Sequence, residues 1–143
     1  MEKGSSSSSV KWWLFITGLV ALTVVIYTVP WMFWQLQIPV KRHCAEAREE
    51  FGGDCVEALL AVIQSEHHSC LEKNQAIWAL GQLADRRALP VLRSLRTGVA
   101  CRRPCHRDLH LCQYEIEKAI RWCERGTVFS RWMRASLLRL EAE

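Results

Sequence analysis

The sequence predicts an all-α protein, a short α-solenoid of about three helix pairs preceded by one transmembrane helix. Three observations carry this. Residues 12–34 hold no ionisable side chain except the phenol of Tyr27. Beyond residue 40 the apolar positions recur at helical spacing, with no sustained strand-like alternation. Gly, Asp and Pro then punctuate that stretch at intervals suited to short helices. With 143 residues there is room for one domain plus an anchor. The net charge of +4 is unevenly held: all but Lys3 and Lys11 of the 19 Lys+Arg, and all but Glu2 of the 15 Asp+Glu, fall in residues 41–143.

Residues 1–11 read as a disordered Ser-rich tail, residues 12–34 as the transmembrane helix, residues 35–40 as a linker and residues 41–143 as the repeat domain. At ~1.5 Å per residue the span measures about 34 Å, enough for a hydrocarbon core of about 30 Å. Trp12 and Trp13 stand at one end and Trp31 and Trp34 at the other, where indole rings settle among headgroups. A cleavable signal peptide would carry a shorter apolar run ending in small residues, whereas Val29-Pro30-Trp31-Met32 follows here. Pro30 is expected to kink or end the span, and Pro39 to mark the exit into the next element.

In the domain, a first helix from Lys41 to Phe51 stops at Gly52-Gly53, and Asp54 is placed to cap a second from Cys55 to Gln64. After a polar break at Ser65–Ser69, a third runs from Leu71 to Leu83. Asp85 starts the turn into a fourth, Arg87 to Arg96, which Gly98 ends. An Arg- and Cys-rich loop extends to His110. A fifth helix covers Leu111 to Glu124, Gly126 closes it, and a sixth begins at Phe129.

These helices repeat in sequence. Ala76 and Ile77 align with Ala119 and Ile120 at an offset of 43, and Val56, Leu59, Leu60 and Ile63 align with Ala88, Val91, Leu92 and Leu95 at an offset of 32. Helix pairs that cannot bury their faces alone and stack side by side form an α-solenoid. The stretch from Asn74 to Leu92, with Ala79-Leu80-Gly81 before the turn, Asp85 in it and Ala88-Leu89-Pro90-Val91-Leu92 after it, resembles one HEAT-like repeat of the phycobilisome-lyase type. The resemblance implies a binding scaffold. It would also imply chromophore-lyase assistance, against which the short array and the anchor argue.

All seven cysteines lie in the domain: Cys44, Cys55, Cys70, Cys101, Cys105, Cys112 and Cys123. Three accounts of them stay open. Cys101, Cys105 and Cys112, near loops, are disulfide candidates for a small domain in an oxidising compartment. The same residues with His106 and His110 supply enough ligands for tetrahedral zinc, at a spacing that matches no standard finger or ribbon. Cys55 and Cys123 fall on helical core faces, where a thiol acts as a small hydrophobe. His67 and His68 beside Cys70 read as a solvated turn that could add ligands.

Arg86, Arg87, Arg93, Arg96, Arg102, Arg103 and Arg107 follow one another with no carboxylate before Asp108. They form a candidate partner-binding basic face for an acidic protein segment or anionic lipid headgroups. Alternatively, Glu115, Glu117 and Glu124 of the neighbouring helix neutralise it. Interleaved aromatics are absent from the stretch and the anchor argues against genome binding, so nucleic acid is not expected. Trp78 and Trp122 fall within one position of each other in the repeat register and read as packing residues.

No phosphate-binding loop, nucleophile elbow or paired-carboxylate arrangement appears, so neither enzymatic activity nor a cofactor is expected. Cations flank the span almost evenly, Lys3 and Lys11 against Lys41, Arg42 and Arg48. The cysteine density then favours a domain on the exoplasmic face, in bacteria the periplasm. The function expected is a membrane-tethered, non-catalytic scaffold that binds another protein. The alternative is a redox-active or zinc-binding module built on loop 101–112.

Overall fold

The structure, a computed structural model, describes residues 6–99 and 106–126 together with Ser130. Its elements are α1 (Ser6–Phe51), α2 (Cys55–Gln64), α3 (Cys70–Leu83), a 3-10 turn (Arg86–Ala88), α4 (Leu89–Ser94) and α5 (Gln113–Arg125), with no strand among the described residues. The all-α class is as the sequence predicts. The sixth helix and loop positions 100–105 lie outside the described residues, apart from Ser130, which is buried. The chain divides into two compact units, Met1–Ile38 and Pro39–Glu143.

The first unit is helical from Ser6 onward. By length and composition this one helix is long and apolar enough to cross a membrane. Its apolar side chains, Trp12, Leu22, Ile26 and Trp31 among them, are exposed. The three threonines return their hydroxyls to carbonyls of their own helix: Thr17 to Trp13 and Leu14 at 2.9 and 3.0 Å, Thr23 to Val20 at 2.8 Å, and Thr28 to Val24 at 2.8 Å. Each of these donors is thereby satisfied within its own helix.

Two expectations need correction. Ser6–Ser9 of the Ser-rich tail belong to α1, and the helix passes through Pro30, the expected linker 35–40 and Pro39 without a break. A proline inside a helix costs about 3 kcal/mol, chiefly through one lost hydrogen bond and a clash with the preceding turn. Past Pro39 the offsetting gain is visible. Val40, Cys44 and Ala47, spaced one turn apart, are at most 3% exposed in the second unit's core. Burying that stripe keeps the chain helical up to Phe51, after which Gly52 (φ +71°) and Gly53 (φ +74°) take the left-handed conformation that ends it.

In the second unit α3 is central, packed against α2 on one side and α5 on the other. Leu59, Ile77, Leu80, Leu83, Leu92 and Ile116 are almost fully buried between them. The internal repeat has a spatial counterpart: Ala76, Ile77, Ala119 and Ile120 are all buried, and the Cys123 thiol points at the Leu80 carbonyl, 43 positions away, at 3.8 Å. Cys123 is therefore the buried hydrophobe its register predicts. Trp78 packs against the same core, and the Trp122 ring lies beside Gly81.

Helices α3 and α5 approach so closely because residue 81 has no side chain. A Cβ there would sit 3.2 Å from both Cα and Cβ of Ala119 and 3.5 Å from the Trp122 ring. The nearest obstacle is backbone, which cannot rotate away. We expect Gly81→Val to cost about 2 kcal/mol by overpacking, a lowered unfolding midpoint of the purified protein being the check.

The fourth predicted helix is shorter than expected: a 3-10 turn followed by α4, which ends at Ser94 instead of Arg96. Pro90 occupies the first turn of α4, where its missing N–H has no partner to lose. One buried polar side chain holds the segment beyond it. Asn74 on α3 is 3% exposed; its Nδ2 donates to the carbonyls of Arg107 and His110, both at 2.9 Å, and its Oδ1 accepts from the Cys112 N–H at 2.8 Å.

Candidate functional site

The last turns of α1 and α2 and the first turns of α3 enclose a cleft of about 220 Å³. His43, Glu46, Ala47 and Glu50 line it from α1, at positions i, i+3, i+4 and i+7 that share one helix face. Leu59 and Val62 come from α2, His68 from the α2–α3 turn, and Glu72, Gln75 and Ala76 from α3. The floor is apolar, since Ala47, Leu59, Val62 and Ala76 are all buried. The rim carries three carboxylates and two imidazoles, and neither lysine nor arginine lines it.

Each rim carboxylate has a light partner. Glu46 pairs with Arg42, 3.3 Å from its Nε, and lies 3.4 Å from His43 Nδ1. Glu50 lies 3.2 Å from His68 Nε2, whose other ring nitrogen is 3.3 Å from the Ser65 hydroxyl. Glu72 accepts from the backbone N–H and the hydroxyl of Ser69, both at 2.8 Å, closing a capping box at the start of α3. The Ser69 hydroxyl and N–H hold its carboxyl below the usual glutamate range. Glu46 and Glu50 remain more than half exposed and free to engage a further donor.

This cleft is not legible in the sequence. In sequence His68 reads, with His67 and Cys70, as part of a solvated turn, yet its side chain is just 15% exposed and faces α1. Nothing marks His43, Glu46 and Glu50 in sequence except their helical spacing, which any charged helix face shares.

The predicted basic face is largely occupied from within. Arg93 pairs with Glu124 at 2.7 Å, Arg96 with Glu117 at 3.7 Å, and Arg107 with Glu115 at 3.7 Å. Arg87 bonds to Asp54 and Asp85 and lies 3.9 Å from Glu57. Arg86 is exposed; Arg102 and Arg103 lie outside the described residues. The carboxylates that meet Arg93, Arg96 and Arg107 are the three that α5 offers as neutralising partners.

Arg87 ties the turn after α3 to the start of α2. Asp54 is the cap of α2, accepting from the Glu57 N–H at 2.9 Å, while Asp85 accepts from the Arg87 N–H at 2.9 Å. Partial burial pushes the Asp54 carboxyl up; the Glu57 N–H and the Arg87 guanidinium outweigh it, so the net displacement is below the usual value. The Arg87 guanidinium is correspondingly raised, first by Asp54 and then by Asp85. A depressed carboxylate stabilises the fold above its unfolded value, about pH 4, and that contribution fades as pH falls through the folded value. Asp54→Ala should cost about 1–2 kcal/mol at neutral pH, from cap and ion pair together. The difference from the parent should shrink in melts run below pH 4.

The one disulfide among the described residues joins Cys44 on α1 to Cys55 at the start of α2. Both are buried. This corrects the assignment of Cys55 as a core thiol and the expectation that Cys112 would pair. Cys112 carries a free thiol and is 4% exposed at the start of α5. Cys101 and Cys105 lie outside the described residues, while His106 and His110 are exposed. Among the described residues no group of three or more His, Cys, Asp or Glu side chains is arranged to hold a metal.

No curated protein and no solved structure matches the chain. The helix pair that carries Asn74, Gly81, Asp85 and Pro90 does have a counterpart: residues 73–95 match the family model of the PBS lyase HEAT-like repeat.

Proposed function

We propose that this protein is a non-catalytic, membrane-tethered scaffold whose HEAT-like helical domain binds another protein. The observation that carries the reading is the HEAT-like unit at 73–95 packed into a helical array, in a chain whose N-terminal helix is suited to a bilayer. Helical repeats of this kind generally mediate protein interactions, because stacked helix pairs leave continuous faces and clefts on a rigid frame. A short array offers a small surface, suited to a peptide or a single helix. The Cys44–Cys55 disulfide supports an exoplasmic placement of the domain, since such bonds persist in oxidising compartments. Because the arginines at 87, 93, 96 and 107 already meet carboxylates, the α1–α3 cleft is the better contact surface.

The test uses the full chain in its native membrane. A membrane-impermeant maleimide on intact cells should label Cys44 and Cys55 only after reduction. Thiols that are free, and shielded until lysis, would put the domain in the cytoplasm. A photo-crosslinking residue at position 75, in the cleft, should give one discrete adduct with a protein. Absence of any adduct from position 75 and from control positions across the domain would remove the scaffold reading.

A further inference from the structure

We infer that the cleft between α1, α2 and α3 is a receptor for one arginine side chain presented by a segment of the partner protein. This rests on the scaffold reading and names the chemistry of its contact.

Size comes first. Sites for cofactors and drug-sized ligands enclose roughly 300–1,000 Å³, and 220 Å³ falls below that range while suiting a single long side chain. The lining then selects which one. An apolar floor of Ala47, Leu59, Val62 and Ala76 can cover the methylene stem of a long cationic residue, whose charged end reaches the rim. At the rim stand Glu46, Glu50 and Glu72, with the Gln75 amide beside them. An acidic occupant would meet these carboxylates with like charge, whereas a cationic one is electrically complementary to them.

Arginine is favoured over lysine by the arrangement of the acids. Glu46 and Glu50 are one helical turn apart on the same face, so a planar guanidinium with five donors can meet both, whereas an ammonium is a point charge. Phe51, adjacent to Glu50 in sequence, is 41% exposed with its ring 5.8 Å from that of His68, a flat surface on which a guanidinium can stack.

The partners now on the rim do not block it. The Arg42–Glu46 pair is 67% and 60% exposed, and such surface pairs contribute about 0–1 kcal/mol, so an incoming guanidinium can share or displace it. Arg42 also shows that the face accepts a guanidinium, from the rim side.

The experiment uses the full chain in nanodiscs with methyl-labelled Leu and Val. The probe is a short Ala/Ser peptide with one arginine, alongside its citrulline and lysine counterparts and free argininamide. The arginine peptide should give saturable shifts at Leu59 and Val62. Citrulline should weaken binding about tenfold or more, equivalent to about 1.4 kcal/mol. Lysine should weaken it less. The double variant Glu46→Gln, Glu50→Gln, whose folding is checked by its melt, should bind the arginine peptide about tenfold more weakly.

Equal binding of the citrulline peptide, an undiminished response in the double variant, or no saturable shift would each overturn the proposal. Argininamide binding as tightly as the peptide would also overturn it, making the site one for a free small guanidinium. The scaffold reading fails separately, by loss of crosslinked adducts from every domain position. Adducts that persist without an arginine response would move the contact elsewhere on the domain.

Discussion

Replacing Asn74 by alanine is expected to destabilise the helical domain by about 3 kcal/mol. The side chain makes three hydrogen bonds to backbone groups of the segment before α5, and it is almost completely buried. That segment forms a turn, with Leu109 and His110 both donating to the His106 carbonyl, and has no regular ladder to satisfy its other groups. Each lost hydrogen bond is worth about 1 kcal/mol net, and each polar group left unpaired away from water costs about 1–3 kcal/mol more. For a domain near 100 residues such a loss lowers the melting midpoint by roughly 15 °C. A site-resolved signature accompanies it: the Cys112 amide, which donates to Asn74 Oδ1, should lose hydrogen-exchange protection before amides within α2 do. A melt within a few degrees of the parent would show that the segment does not depend on Asn74.

The second large effect is expected from the disulfide. Replacing Cys44 and Cys55 together by alanine should cost about 3 kcal/mol, the loop-closure value for a link spanning 11 positions. It pins the end of α1 to the start of α2 across Gly52-Gly53, a turn whose freedom in the unfolded chain would otherwise be large. Alanine suits the test because both sulfurs are buried and a serine hydroxyl there would need a partner. Adding reductant to the parent protein should reproduce the double variant's melt. A parent melt insensitive to reductant, with unequal peptide maps before and after alkylation, would show that the bond forms without holding the fold. The consequence reaches the cleft, since α1 supplies four of its lining residues and the disulfide sets where α1 lies against α2.

Much of the architecture was legible in the sequence because it rests on local physics. The bounds of α2 expected from sequence, Cys55 to Gln64, are those observed, since Asp54 caps one end and the polar run from Ser65 closes the other. The start of α3 shifts by one residue, to Cys70, because Ser69 and Glu72 form a capping box there. The HEAT-like unit was readable from Gly81, Asp85 and Pro90, each of which has a local reason for its position.

The misread elements share a different character. Pro30 and Pro39 read as breaks by propensity, whereas α1 continues because Val40, Cys44 and Ala47 are buried in the domain core. Cys55 reads as a core thiol from its helical register, yet it pairs with Cys44 because the turn at Gly52-Gly53 folds the two helices back on each other.

By itself, then, the sequence determined the elements of this protein: an apolar helix suited to a bilayer, a charge-rich set of short helices, and one HEAT-like pair among them. Caps, turns and hydrophobic period act within a few residues, so they can be read from the chain alone. Only the tertiary structure decided which cysteines pair, which arginines are already answered by carboxylates, and that His43, Glu46, Glu50, His68 and Glu72 surround one apolar floor. Those facts depend on which faces of separate helices meet, and that is set by burying the whole core at once.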